Sequence, residues 1–224
     1  MKKAPKKGVI IGASSGIGKA LARELVINNY HVCVTGRRES HLLELQKEYP
    51  EHIHIAVFDT TKPNTIEQLE ALEKTLEGID LFVISAGIGH LNLDYDYSIE
   101  NETNQLNVVA FTQLVNWSMR YFEQQGQGHL VNISSVASRR GGRQAPAYSA
   151  SKAYQSIYLE GMDQKVVYDK LPIHTTDVRP GFVKTAMAKA DKMFWVYPVK
   201  KKLHGKFLEV FRKRRELSIS VDVV

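Results

Sequence analysis

One cysteine occurs in the 224 residues, which excludes an intramolecular disulfide framework and a thiolate zinc cluster. No apolar run approaches the roughly 20 residues that a membrane-spanning helix needs. Internal repeats, low-complexity tracts and linker-like stretches are also missing. Behind the basic start Met1-Lys2-Lys3-Ala4-Pro5-Lys6-Lys7, apolar character is interrupted at Gly12 and Ser14-Ser15-Gly16, too early for the core of a secretory signal. These absences lead us to expect a soluble, cytoplasmic protein forming one domain, residues 1–224, long enough to bury a sizeable core.

Acidic charge is the minority: 24 Asp+Glu against 30 Lys+Arg, a formal +6. The excess is concentrated at the two ends. Lys2, Lys3, Lys6 and Lys7 open the chain, and Lys200, Lys201, Lys202, Lys206 and Arg212-Lys213-Arg214-Arg215 lie near its close. The remaining body is mildly acidic, and no nucleic-acid-binding motif accompanies the charge. Solvated termini explain it better than a nucleic-acid partner.

What the chain does have is regular alternation. Gly8–Ile11, His31–Thr35, Ile53–Phe58, Asp80–Ile84, His129–Ile133 and Ile173–Val178 read as short buried strands. Helical spacing of apolar residues falls between them, over 16–28, 39–49, from Pro63 through Leu76, 99–124 and 147–169. Residues 187–215 read as partly helical, and 217–223 as a seventh strand. Such alternation implies βαβ units with right-handed crossovers: a doubly wound α/β fold in three layers, with a parallel sheet of about seven strands. Ligands of such sheets bind beyond the carboxyl ends of the strands.

The first strand runs into Gly12-Ala13-Ser14-Ser15-Gly16-Ile17-Gly18. Small residues there let backbone N–H groups and a helix N-terminus approach a pyrophosphate. The position, between a strand and a helix, suits dinucleotide binding. The second strand ends in Thr35-Gly36-Arg37-Arg38, with no Asp or Glu from His31 to Arg38. A guanidinium there pairs with a ribose 2′-phosphate, whereas an acid would accept from a 2′-hydroxyl. NADP(H) is therefore expected, with NAD(H) the secondary candidate.

Tyr148-Ser149-Ala150-Ser151-Lys152 places a phenol and an ammonium one helical turn apart. A nearby ammonium favours phenolate and lowers a tyrosine pKa from about 10, suiting it to proton transfer. Spacing alone is weak, because Tyr197 and Lys201 are also four apart, with Pro198 between them.

Together these segments resemble the short-chain dehydrogenase/reductase family over about residues 7–185. The resemblance rests on Gly12-x-x-x-Gly16-Ile17-Gly18, Asp59, Ala86-Gly87, Asn107, Asn132-Ile133-Ser134-Ser135, Tyr148-x-x-x-Lys152 and Arg179-Pro180-Gly181-x-x-x-Thr185. It implies a single NAD(P)-binding Rossmann domain. Tyr148 would be the proton donor to a substrate carbonyl. Lys152 would lower its pKa and hold the nicotinamide ribose, Ser135 would polarise the carbonyl oxygen, and Asn107 would anchor a water in the proton relay. Gly12, Ser14, Ser15, Gly16, Ile17, Gly18, Arg37, Arg38, Asp59, Ala86 and Gly87 would contact the cofactor. So would Asn107, Tyr148, Lys152, Pro180, Gly181, Val183 and Thr185. Ser134 would be a neighbour. The chain departs from the family pattern at Ile11, where Thr is usual, and at Ile84-Ser85, where Asn-Asn is usual.

The resemblance also implies a homodimer or homotetramer joined through the two long helices, with Phe111, Leu114, Val115, Tyr154, Tyr158 and Met162 as contact candidates, and a substrate lid over 186–210. Phe194-Trp195-Val196-Tyr197 lies in that lid, where it reads equally as an apolar substrate wall or as packing. Arg139, Arg140 and Arg143 precede Tyr148 and read as solvated charges, with an anionic substrate group as the alternative. His52 and His54 lack the partners for a metal site, none of which is expected elsewhere, and Cys33 reads as a small buried hydrophobe. The expected activity is interconversion of a carbonyl and a secondary alcohol by hydride transfer. The competing reading is a non-catalytic NADP-binding sensor on the same fold.

Overall fold

The computed structural model describes residues 4–181. The expected seventh strand at 217–223, the 186–210 lid, Val183 and Thr185 lie outside these residues, as does the distal basic region.

Six strands form the sheet: β1 (Lys6–Ile11), β2 (Tyr30–Gly36), β3 (Ile53–Val57), β4 (Leu81–Ile84), β5 (Gly128–Ile133) and β6 (Ile173–Val178). All neighbours are parallel, in the order β3-β2-β1-β4-β5-β6. Helices α1 (Gly16–Ile27), α2 (Glu39–Glu48), α3 (Thr65–Leu76), α4 (Tyr97–Asn104), α5 (Phe111–Gln125) and α6 (Pro146–Tyr168) cover both faces. After β3 the chain returns to lay β4 beside β1, so a crevice opens at the carboxyl ends of these two strands.

Strand alternation divides the apolar residues between two cores. Val9, Ile11, Phe82, Ile84 and Leu130 face α3, α5 and α6, while Ile10, Val32, Val34, Val83 and Val131 face α1 and α2. Cys33 is buried in the first core, as expected, and desolvation pushes its thiol up to about 12. Phe111, Leu114 and Val115, expected as subunit contacts, are buried within the chain. Tyr154, Tyr158 and Met162 pack against the same core. These three remain half-buried, so part of their surface stays open.

The expected helix over 99–124 is one continuous rod with an interruption. A π-helical turn, Gln105–Ala110, separates α4 from α5. Hydrophobic periodicity does not register such an insertion, because one widened turn only rotates the stripe locally. Helix α3 starts at Thr65, after Pro63, because the Thr65 hydroxyl donates to the Lys62 carbonyl at 2.7 Å and closes the turn before it.

His129 on β5 sits 2.9 Å from the Thr176 hydroxyl of β6, and desolvation with the neighbouring His174 and Lys6 pushes its imidazole down to about 4. The folded protein therefore keeps His129 neutral where the unfolded chain, near 6.5, takes up a proton. Its contribution is complete above pH 6.5 and is lost as pH falls toward 4, about 3 kcal/mol in all. Urea unfolding at pH 7 and pH 4.5 should show His129→Gln losing about 2 kcal/mol less than the wild type over that interval.

Candidate active site

The turn from β1 to α1 has a shape that only small residues permit. Gly12 has φ +90°, and a Cβ there would lie 2.6 Å from the Ala86 backbone nitrogen. A Cβ on Gly18 would lie 2.2 Å from the Gly12 carbonyl. The turn is braced from β2, whose Thr35 carbonyl accepts from the amides of Gly12 and Ala13 at 3.2 and 2.8 Å. Buried Ile11 belongs to the core, and its carbonyl accepts from Ser85 at 2.9 Å, so both departures from the family pattern still serve the β1–β4 ladder. No acidic residue occupies the first turn of α1, which leaves its N–H groups and partial positive charge for an anion.

Basic side chains gather over this turn. Arg38 donates to the hydroxyls of Ser14 and Ser15 at 2.9 and 2.8 Å, and His41 Nδ1 lies 3.0 Å from the Ser14 carbonyl. Arg37, with a side chain 61% exposed, pairs with Asp59 at 3.7 Å. Burial alone would raise the Asp59 carboxyl, but hydrogen bonds from Thr61 and the Arg37 charge hold it below its usual value. The cradle at Gly12 and Gly18, the open helix end and the two guanidiniums fit a dinucleotide phosphate.

The other half of the site surrounds α6. Pro146 starts this helix, so Tyr148 stands in its first turn, hydrogen-bonded to the Ser135 hydroxyl. Ser135 also accepts from the Ala137 amide at 3.1 Å, and the Val136 amide donates to the Pro180 carbonyl at 3.1 Å. These bonds set the Ser135 turn beside Pro180-Gly181, at the end of β6. Ser134 is buried, and its hydroxyl donates to the Val178 carbonyl at 3.3 Å.

Lys152 is buried. Its ammonium donates to the Ile133 carbonyl and to Gln155 Oε1, both at 2.9 Å, and lies 6.0 Å from the centre of the Tyr148 ring. Desolvation pulls it down to about 8, with Asp177 opposing. The expected depression of Tyr148 is not found. Burial raises its hydroxyl above the ordinary value and the Ser135 hydrogen bond only partly offsets this. The physical reason is desolvation: the hydroxyl is buried, and the neutral form costs less there than the phenolate.

Asn107 lies in the π-helical turn with no exposed surface. Its side chain accepts from the Ile88 amide at 2.9 Å and donates to the Ile88 carbonyl at 2.7 Å and to Ser151 at 3.0 Å. Its carbonyl accepts from Gln155 Nε2 at 2.8 Å. Asn107, Ser135, Tyr148 and Lys152 therefore come together, next to Ala86-Gly87. Thr35, Ser151, Gln155 and Asp177 were not singled out in the sequence. The polar stripe Ser151, Lys152, Gln155, Ser156 on a core-facing helix was the available signal.

Arg139, Arg140 and Arg143 are exposed, and the first two line a shallow cleft of about 320 Å³ with Ser149, Ala150 and Ala153, apart from Tyr148. The His52 ring packs edge-on to His31, with centroids 5.2 Å apart. Among the described residues no three His, Cys, Asp or Glu side chains converge as metal ligands, and no helix is long and apolar enough to cross a membrane.

An uncharacterized oxidoreductase of Staphylococcus haemolyticus is 32% identical over 185 residues, covering 81% of this chain and 79% of the relative. The crystal structure of a short-chain dehydrogenase from Streptomyces avermitilis superposes with a TM-score of 0.76 at 26% identity, covering 88% of this chain and 72% of that one. A tyrosine-to-phenylalanine variant of ElxO with NADPH bound superposes with a TM-score of 0.74 at 25% identity, over 81% of this chain and 75% of that one. The family model described as short chain dehydrogenase matches residues 6–193. The chain belongs to the short-chain dehydrogenases, a family of oxidoreductases.

Proposed function

We propose that this chain reduces a carbonyl to a secondary alcohol with NADPH, or runs the reverse reaction, with Tyr148 as the group that gives or takes the proton. The convergence of Tyr148, Ser135, Lys152 and Asn107 at the carboxyl edge of the sheet carries this reading. When bound, the nicotinamide supplies the hydride. Ser135 presents a hydroxyl to the substrate oxygen, and Tyr148 delivers its proton to that same atom as the alcohol forms. The raised pKa of Tyr148 keeps the phenol protonated at neutral pH, as a donor requires. Below about pH 8 Lys152 remains an ammonium, which favours the phenolate left behind.

At the opposite end, Gly12 to Gly18 and the α1 N-terminus would cradle the pyrophosphate. Asp59, Ala86 and Gly87 would line the adenosine and ribose path, and Pro180-Gly181, followed by Val183 and Thr185, would meet the nicotinamide. Arg37 and Arg38 support NADP(H) over NAD(H), and NADPH in the ElxO structure accords with this. The same reading places the protein in the cytoplasm, where a free Cys33 thiol persists. It also takes a homodimer or homotetramer as the assembly, with a small-molecule carbonyl or alcohol as the partner.

A panel of carbonyl compounds followed at 340 nm with NADPH and NADH tests the function. Tyr148→Phe should lower turnover of any accepted carbonyl about 100-fold or more, with NADPH binding nearly unchanged. Unchanged turnover in that variant refutes the mechanism, and NADPH binding without turnover of any carbonyl by the wild type favours a nucleotide sensor. Arg37→Ala should weaken NADPH binding about 10-fold while NADH binding stays nearly constant, as read by fluorescence titration. Equal wild-type affinity for the two nucleotides would refute the NADP assignment.

A further inference from the structure

The amide of Gln155 joins two groups of the proposed site, and its orientation is set by chemistry. One end meets the Lys152 ammonium, which can only donate, at 2.9 Å, and the other meets the Asn107 carbonyl, which can only accept, at 2.8 Å. Oε1 must therefore face Lys152 and Nε2 must face Asn107. A flipped amide would set donor against donor and acceptor against acceptor, in a place where Gln155 has no exposed surface.

The π-helical turn provides the carbonyl for this bond. In an α-helix the Asn107 carbonyl would accept from the Phe111 amide, but that amide donates to Leu106 and Val108. The Gln155 amide takes up the oxygen thus exposed. The Asn107 side chain meanwhile reaches Ser151 on the same face of α6, so two bonds join the widened turn to the helix that carries Tyr148 and Lys152.

We infer that Gln155 is a positioning residue that takes the place the family resemblance assigns to a water anchored by Asn107, holding the Lys152 ammonium and the Asn107 turn in register. The inference rests on the function proposed above but concerns this chain's own residues. A water passes protons by exchanging bonds with its neighbours, whereas this amide holds its hydrogens at Nε2 and its acceptor at Oε1. The inner side of Lys152 is therefore closed to proton relay, and its one remaining N–H serves the cleft.

Gln155 also acts on the ionisation of Lys152. Its oxygen stabilises the ammonium against burial. Among the described residues, the other ionisable groups facing Lys152 are Tyr148 on α6 and Asp177 on β6. Asp177 is held by Ser156 at 2.7 Å, Arg179 at 2.8 Å and Asn132 at 3.0 Å.

Three variants test this: Gln155→Leu, which fills the space without polar groups; Gln155→Glu, which offers acceptors at both ends; and Gln155→Ala, which leaves room for water. Lys152 is titrated by NMR in lysine-labelled protein, its signal identified by loss in Lys152→Met, and kcat is followed against pH. In Gln155→Leu the Lys152 titration and the alkaline limb of kcat should move down by about one pH unit, and in Gln155→Glu up by a similar amount. Turnover should fall about 10-fold in Gln155→Leu and recover partly in Gln155→Ala as water refills the bridge. A Lys152 titration that is the same in wild type and every folded variant overturns the inference. If Lys152 shifts as expected while the wild type turns over no carbonyl, the positioning role stands and the proposed function falls.

Discussion

Lys152 carries an ammonium into the interior of the domain, and the surrounding structure answers the cost of placing it there. An unpaired buried cation is expensive enough that the group would give up its proton. Here two neutral oxygens, from Ile133 at the end of β5 and Gln155 on α6, accept from it, and the Asp177 carboxylate acts at longer range. The acceptors come from distant parts of the chain, so the charge is tolerated only when β5, β6, α6 and the π-helical turn are all in place.

The same requirement explains why α6 is unlike the other helices. A helix covering a sheet normally turns an apolar stripe inward. Helix α6 buries Ser149, Ser151, Lys152, Gln155 and Ser156 on its inner side, with Leu159 and Val166 entering the core further along. Each buried polar group then needs a partner. Ser151 meets Asn107, Gln155 meets the Asn107 carbonyl, and Ser156 meets Asp177. Rigidity at the proposed reacting groups follows from satisfying these bonds together.

The switch between β1 and β4 divides the labour. On one side, the glycine turn, the open end of α1 and the guanidiniums of Arg37 and Arg38 present positive charge in a form suited to phosphate. On the other stand Tyr148, Ser135 and Lys152, the groups proposed to handle the proton. Both halves sit at the carboxyl edge of one parallel sheet, where the loops following β1, β2, β4, β5 and β6 converge.

Much of this was legible in the chain itself. The strand runs and the helical stripes are local patterns, and they located every described strand and most helix boundaries, the split between α4 and α5 excepted. The glycine turn, Arg37-Arg38 and Tyr148-x-x-x-Lys152 are local too, because each depends on residues within one turn or one helical repeat. Sequence alone therefore determined the doubly wound α/β plan and singled out the residues of the proposed site. It did not determine what those residues touch. That Arg38 lies on Ser14 and Ser15, that Phe111 faces the sheet, that Tyr148 is raised in pKa, and that Gln155 bridges Asn107 and Lys152 were decided by contacts between segments 3 to 48 residues apart. Burial and hydrogen-bond partnership are properties of the assembled interior. No spacing rule along the chain contains them.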